Sequence, residues 1–213
     1  MKIRARWVIA AVLGWAAGGC GGEEAPPPVP SSPACPEQDR LGGGECAGAP
    51  AEPVCPAEVC ADDAACAQVI QVNGDAGLQA ALAQASAGDC VALAPGSYGD
   101  ALLPPGVSLL GRSAAEVSVA RVEVEAGTAA LVRGLSIGAG GMLVREAAEG
   151  VILESARVAG SAGDGITVEP GAALAVSDTT IEGSGRIGLL AFDGADVRVE
   201  RSVLATNAYA AVW

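Results

Sequence analysis

The sequence predicts an all-β fold, a parallel β-helix wound as a single-chain solenoid of about five to six coils with about 23 residues in each. Three observations predict it. Apolar residues from position 73 onward recur at a near-constant long period. Glycines fall at the same points of each period. Within each short run, apolar and other residues alternate, the period-2 pattern of a strand with one buried face.

The repeat is explicit when the chain is set against itself. Val107, Ala130, Val151, Leu174 and Val197 each open a unit, so the units run 23, 21, 23 and 23 residues. Two positions on stand Leu109, Val132, Leu153, Val176 and Val199. Ile137, Val158, Ile181 and Leu204 then coincide, followed by Val122, Met142, Ile166, Leu189 and Val212, and by Val124, Val144, Val168 and Ala191. Gly127, Gly150, Gly171 and Gly194 precede the unit starts; Gly141, Gly165 and Gly188 precede another strand. Glycine supplies the sharp corners such a coil needs. No single unit can bury its own apolar face, but stacked units can, each strand bonding its equivalent about 4.8 Å away. A leucine-rich-repeat horseshoe would need a leucine/asparagine signature and a helix in each unit, and neither is present. Ladders of small aliphatics also explain how a core forms with only 3% aromatic residues.

Taken from the N-terminus, the first element is an export signal, residues 1–19. Lys2, Arg4 and Arg6 form a basic start, and the apolar run Trp7–Ala17 is 11 residues long, short of the roughly 20 that cross a bilayer as a helix. Ala17-Gly18-Gly19-Cys20 resembles a bacterial lipoprotein lipobox, departing at Ala17, where leucine is usual. The resemblance implies a lipid on Cys20 and, with Gly21 next, anchoring at the outer membrane of the bacterial envelope. An ordinary secretory signal cut nearby is the alternative. Loss of residues 1–19 removes three positive charges and takes the net charge from −13 to −16.

Residues 20–34 read as a disordered, acidic, Pro-rich tether. From Gly21 to Ala67 the chain holds nine of its 13 prolines and nine acids against the single Arg40. Residues 35–70 form a Cys-rich segment. Cys35, Cys46, Cys55, Cys60, Cys66 and Cys90 make an even count in an exported chain, which suggests disulfides. Six cysteines allow 15 connectivities; the expectation is a small knot, with Cys90 fastening it to the next domain. The β-helix occupies residues 71–213. A short helix opens it, with Asp75 as the N-cap, Leu78, Ala81, Leu82 and Ala85 at helical spacing, and a stop near Ser86-Ala87-Gly88.

The stretch LQAALAQASAGDCVALAPGSYGD through LLPPGVSLLG resembles the N-terminal entry of pectin-lyase-like right-handed parallel β-helices. The resemblance implies a right-handed coil, a helix capping its open end, and a superfamily rich in polysaccharide lyases and hydrolases. Lyases of that kind use calcium-bound aspartates with a basic Lys or Arg; hydrolases use clustered Asp with a nearby His.

This chain has no histidine, and its only lysine is Lys2. That excludes a His general base, a Ser/His/Asp system, a His-ligated zinc and, after cleavage, a Schiff-base lysine. The acidic balance also argues against a nucleic-acid partner. Weak catalytic candidates are outward residues. Asp178 and Arg201 stand at equivalent corners one rung apart; Glu154 and Glu200 stand two rungs apart, roughly 9–10 Å at ladder spacing, near the separation of an inverting glycosidase pair. A cross-rung ion pair and ordinary outward carboxylates are the structural alternatives. Phe192, Tyr209 and Trp213 in the last two units are the ligand-surface candidates. No metal site is assigned; calcium, with Asp164, Asp193 and Asp196, enters only under the lyase alternative.

The last unit begins at Val197 and stops at Trp213, six residues short of the period, in the strand-like sequence AYAAVW. The expectation is an edge that pairs with further sequence or with another chain. The function expected overall is a non-catalytic scaffold or binding module of the cell envelope, directed at polysaccharide or an envelope protein. The alternative is a polysaccharide lyase or related carbohydrate-active enzyme.

Overall fold

The computed structural model describes residues 66–127 and 129–213. The signal, the tether, and Cys20, Cys35, Cys46, Cys55 and Cys60 lie outside the described residues.

Strand β1 (Val69–Val72) leads into helix α1 (Asp75–Gln84) and then β2 (Cys90–Leu93). The chain continues through β3 (Gly96–Leu103), β4 (Ser108–Leu110), β5 (Val117–Val124), β6 (Leu131–Arg133) and β7 (Ser136–Val144). Next come β8 (Val151–Glu154), β9 (Arg157–Ala159), β10 (Ile166–Val168), β11 (Ala173–Ser177) and β12 (Thr180–Glu182). The last four are β13 (Ile187–Ala191), β14 (Asp196–Glu200), β15 (Val203–Ala205) and β16 (Ala210–Val212). Every ladder is parallel, and together they wind a β-solenoid of about 6 turns with about 22 residues per turn.

The coil has three faces. β1, β2, β4, β6, β8, β11 and β14 stack in that order as the first. β9, β12 and β15 lie on the second, and β10, β13 and β16 on the third. The long strands turn the corner between the last two: β7 pairs with β9 through Ser136 and Ile137 but with β10 through Met142 to Val144. The observed registers reproduce the sequence repeat. Val132 pairs with Leu153, Leu153 with Val176, and Val176 with Val199. Ile137, Val158, Ile181 and Leu204 form one inner ladder, and Met142, Ile166, Leu189 and Val212 another. Period-2 alternation is what fixes this register, because a one-residue slip would turn every apolar side chain outward. The first coils depart from the repeat: Val91 pairs with Leu109, only 18 residues on.

Corners stack as the strands do. Gly134, Ser155, Asp178 and Arg201, which end the first face in successive coils, all take left-handed φ values of 68°, 48°, 49° and 47°. At such corners the regular ladder lapses, and side-chain oxygens of the next coil replace it. The N–H of Ala156 donates to Thr179 Oγ1 at 3.3 Å, and the N–H of Thr179 to Ser202 Oγ at 3.2 Å. Ser184 donates its N–H to Asn207 Oδ1 at 3.1 Å in the same way. Buried polar backbone is thereby satisfied where the strand pattern cannot do it.

The N-terminal end is closed by α1, whose Leu78, Ala81 and Leu82 are buried against the first coil. Asp75 is not its N-cap. Gly74 holds that position without a side-chain cap, and the Asp75 carboxylate instead accepts the N–H of Gly99 at 2.7 Å, tying the helix to β3. Tyr98 is buried nearby and its hydroxyl donates to the Ala94 carbonyl at 2.7 Å. A disulfide joins Cys66 to Cys90, with Cα atoms 5.6 Å apart, and so fastens the chain ahead of β1 to β2.

Candidate ligand-binding face

The first face is the longest regular surface of the coil, and its outward side chains are set by the register. Ile152, Ala175 and Arg198 form one outward column across β8, β11 and β14; Glu154, Ser177 and Glu200 form the next. A shallow trough of about 610 Å³ lies beside the first column, on the side of the strand starts, lined by Ile152, Ala175, Asp196 and Arg198 together with the backbone of the three strands. Its floor is aliphatic, with Ile152 40% exposed. Its rim is ionic.

Asp178 and Arg201 meet as a fork at the corner that follows β11 and β14. Arg201 Nε donates to Asp178 Oδ1 at 2.8 Å and Nη2 to Oδ2 at 2.7 Å. This is the bidentate arrangement that suits guanidinium and carboxylate. The hydrogen bonds from Arg201 hold the Asp178 carboxyl below its ordinary value against the opposing effect of partial desolvation, and the guanidinium charge adds to them. The same contact raises Arg201 above its ordinary value, helped by the fields of Glu200 and Glu154. Asp178 is therefore an ionised, occupied carboxylate at neutral pH, without the raised pKa of a general acid.

Glu154 and Glu200 are in register through Ser177, two rungs apart. Each has its own arginine. Arg133 Nη1 lies 3.9 Å from Glu154, and Arg198 Nε donates to Glu200 at 3.0 Å, with Arg201 Nη1 at 3.7 Å. The pattern extends over the molecule: all eight arginines among the described residues stand beside a carboxylate.

The aromatic candidates sit on the third face. Phe192 follows β13, Trp213 follows β16, and their backbones join the ladders of β10 and β13 respectively. Tyr209 precedes β16, so it and Trp213 flank that strand about 13 Å apart by strand rise. The three rings are exposed, and the β13–β16 register puts Trp213 diagonally across from Phe192 on the adjacent rung. A second trough of about 620 Å³ on this side carries Glu123, Glu125, Glu146 and Glu169 around Arg145. Arg145 is bonded to Glu123 at 2.7 Å and to Glu169 at 3.4 Å, which raises its pKa.

Asp164, one of the carboxylates considered for calcium, accepts the N–H of Ile187 at 3.1 Å and lies 3.5 Å from Arg186. Among the described residues, no group of three or more His, Cys, Asp or Glu side chains is placed to hold a metal ion. Sequence reasoning named Asp178, Arg201, Glu154 and Glu200 but not the trough, whose lining contains none of them. The register already put Ile152 beside Ala175, and small outward residues on successive rungs were the signal available. Comparison of the chain with protein-family models, with curated proteins and with solved structures gives no match.

Proposed function

We propose that this protein is an exported bacterial lipoprotein, anchored at the outer membrane through Cys20, whose β-solenoid is a non-catalytic module that binds a neutral polysaccharide. The observation that carries the reading is the pairing of charge on the first face. Asp178, Glu154 and Glu200, on the same face beyond the trough, are each engaged by arginine, which leaves Asp196 as the carboxylate in the trough lining that has no ion pair among the described residues. The aliphatic floor of Ile152 and Ala175 suits the apolar face of a sugar ring, and Asp196 and Arg198 supply hydrogen-bonding groups beside it. Net charge favours a neutral ligand. At −13, or −16 after cleavage, the chain repels a polyanion, and its arginines would have to leave their partners to bind one.

The resemblance to pectin-lyase-like proteins and the lipobox-like residues support the fold analogy and the address. The lyase alternative needs an unengaged basic residue beside an anionic sugar, which is a poor fit to this face. A glycan array probed with the full chain is the test. Retention on neutral glycans, lost in Ile152→Asp, is the expected result; no retention on any neutral glycan overturns the reading. Incubation with acidic polysaccharides and calcium should give no absorbance from unsaturated uronates, and such absorbance would establish the lyase instead. Replacement of Cys20 by alanine should abolish labelling by a fatty acid precursor.

A further inference from the structure

The first face is not uniform from coil to coil. In β2, Val91 and Leu93 belong to the core, so alternation turns Cys90 and Ala92 outward. Leu110 of β4 is outward too, one residue past the core residue Leu109 and in register with Ala92 before it and Arg133 after it. Cys90, Ala92 and Leu110 are nonetheless only 2%, 5% and 3% exposed, and none of them belongs to the core cluster. Ile152, outward on β8 of the same face, is 40% exposed. An outward apolar side chain on a coil is shut from water by what is laid over it, not by the core beneath.

We infer that residues 54–65 of the same chain cross β2 and β4 as a strap and cover this patch. Those residues lie outside the described ones. The inference depends neither on the carbohydrate reading nor on the lipid. The disulfide fixes where the strap ends. Cys66 is bonded to the outward-facing Cys90, with Cα atoms 5.6 Å apart, so the chain ahead of Cys66 arrives on the outer side of the first face. Leu110 stands one rung and two residues from Cys90, about 8 Å at ladder spacing and strand rise. Three extended residues already span about 10 Å, and twelve are on hand from Val54 to Ala65.

Charge selects this occupant. The segment carries Glu58, Asp62 and Asp63 with no base, set among Val54, Val59 and alanines. Two arginines flank Leu110: Arg133 in the same column on the next rung, and Arg112 two residues on. Arg112 Nε lies 3.4 Å from Glu116 yet is shut from solvent without a hydrogen bond. A buried guanidinium N–H in that state is stabilised by a further carboxylate. Arg133 Nη1 stands 3.9 Å from Glu154, and a guanidinium has donors for a second acid. Asp63 and Asp62, three and four residues ahead of Cys66, fall within reach of both. The strap contributes side chains and not a strand, because β2 and β4 already have ladder neighbours on both sides. It covers the early rungs and leaves the trough on β8, β11 and β14 open.

Methyl-detected NMR of the full chain tests this. Nuclear Overhauser contacts should run from the Leu110 methyls to protons of residues 54–65. A soluble paramagnetic chelate should broaden the Ile152 methyls and spare those of Leu110. Asp62→Arg together with Asp63→Arg should lose the contacts and open Leu110 to the chelate, because like charges then meet Arg112 and Arg133. The Leu153 methyl shifts, reporting the core of the coil, should stay in place in that variant. Leu110 contacts confined to residues 66–213 overturn the proposal, as does a Leu110 broadened as strongly as Ile152. Contacts seen only between differently labelled copies give the patch to a second chain and overturn it as well. So does a charge-reversed variant that keeps every contact.

Discussion

At the residue scale, the left-handed corner shows how position outranks residue type. Ser155, Asp178 and Arg201 occupy a conformation that L-residues avoid, and they do so at the same point of successive coils. The coil above and below fixes the backbone there, and the side chain is then free to reach its neighbours. Asp178 and Arg201 do this through their fork. Because the Asp178 pKa is lowered in the folded chain, the pair's contribution is fully present above the ordinary carboxylate value of 3.8 and is lost as pH falls through the lowered folded value. Both side chains are well exposed, so salt should screen the effect. Arg201→Ala should return the Asp178 carboxyl to its ordinary value in a carbon-detected NMR titration. An unchanged titration would show that the fork does not hold in solution.

At the scale of the element, the first-face corner separates two reasons for glycine. The left-handed φ does not by itself demand it, since three other residues serve there. Gly134 differs because a Cβ would press onto the carbonyl oxygen of Gly111 in the coil before. Gly134→Ala should therefore cost at least about 2 kcal/mol, combining backbone strain with a close backbone contact. Gly163 takes no left-handed φ and has open space around its would-be Cβ. Gly163→Ala should be neutral or slightly stabilising. Urea denaturation of the two variants checks the contrast, and equal midpoints would refute it.

The registers of these elements are legible in the sequence, from Leu109 through Val199 and from Val122 through Val212, because alternation and repeat length both encode them. The first coils are less so. Their 18-residue step between Val91 and Leu109 breaks the period, and α1 replaces a strand segment. Asp75 has the residue type of a cap, but its carboxylate finds a stronger claim in the N–H of Gly99, 24 residues away in sequence.

At the scale of the whole molecule, the solenoid transmits stability from coil to neighbouring coil, so its ends matter most. The N-terminal end has α1 and the Cys66–Cys90 bond, which closes a loop with a sequence separation of 24. Chain-entropy arithmetic for such a loop gives about 3 kcal/mol. Reduction should lower the unfolding midpoint accordingly, as read by urea denaturation with and without reductant; identical midpoints would mean that α1 alone secures this end. In the last described coil Val197, Val199 and Leu204 are only partly buried against the core.

The sequence by itself determined the period, the inward residues and the corners of this protein, because those arise from local alternation and from glycine's conformational freedom. It also excluded histidine and lysine chemistry from the coil by simple absence. Only the tertiary structure decided which charges engage one another. Arg201 and Arg133 could have faced a ligand; stacking at ladder spacing instead put Asp178 and Glu154 within their reach, while Arg198 reached Glu200 two residues along its own strand. Long side chains on neighbouring rungs choose partners by rotamer and distance, and no one-dimensional pattern records that choice.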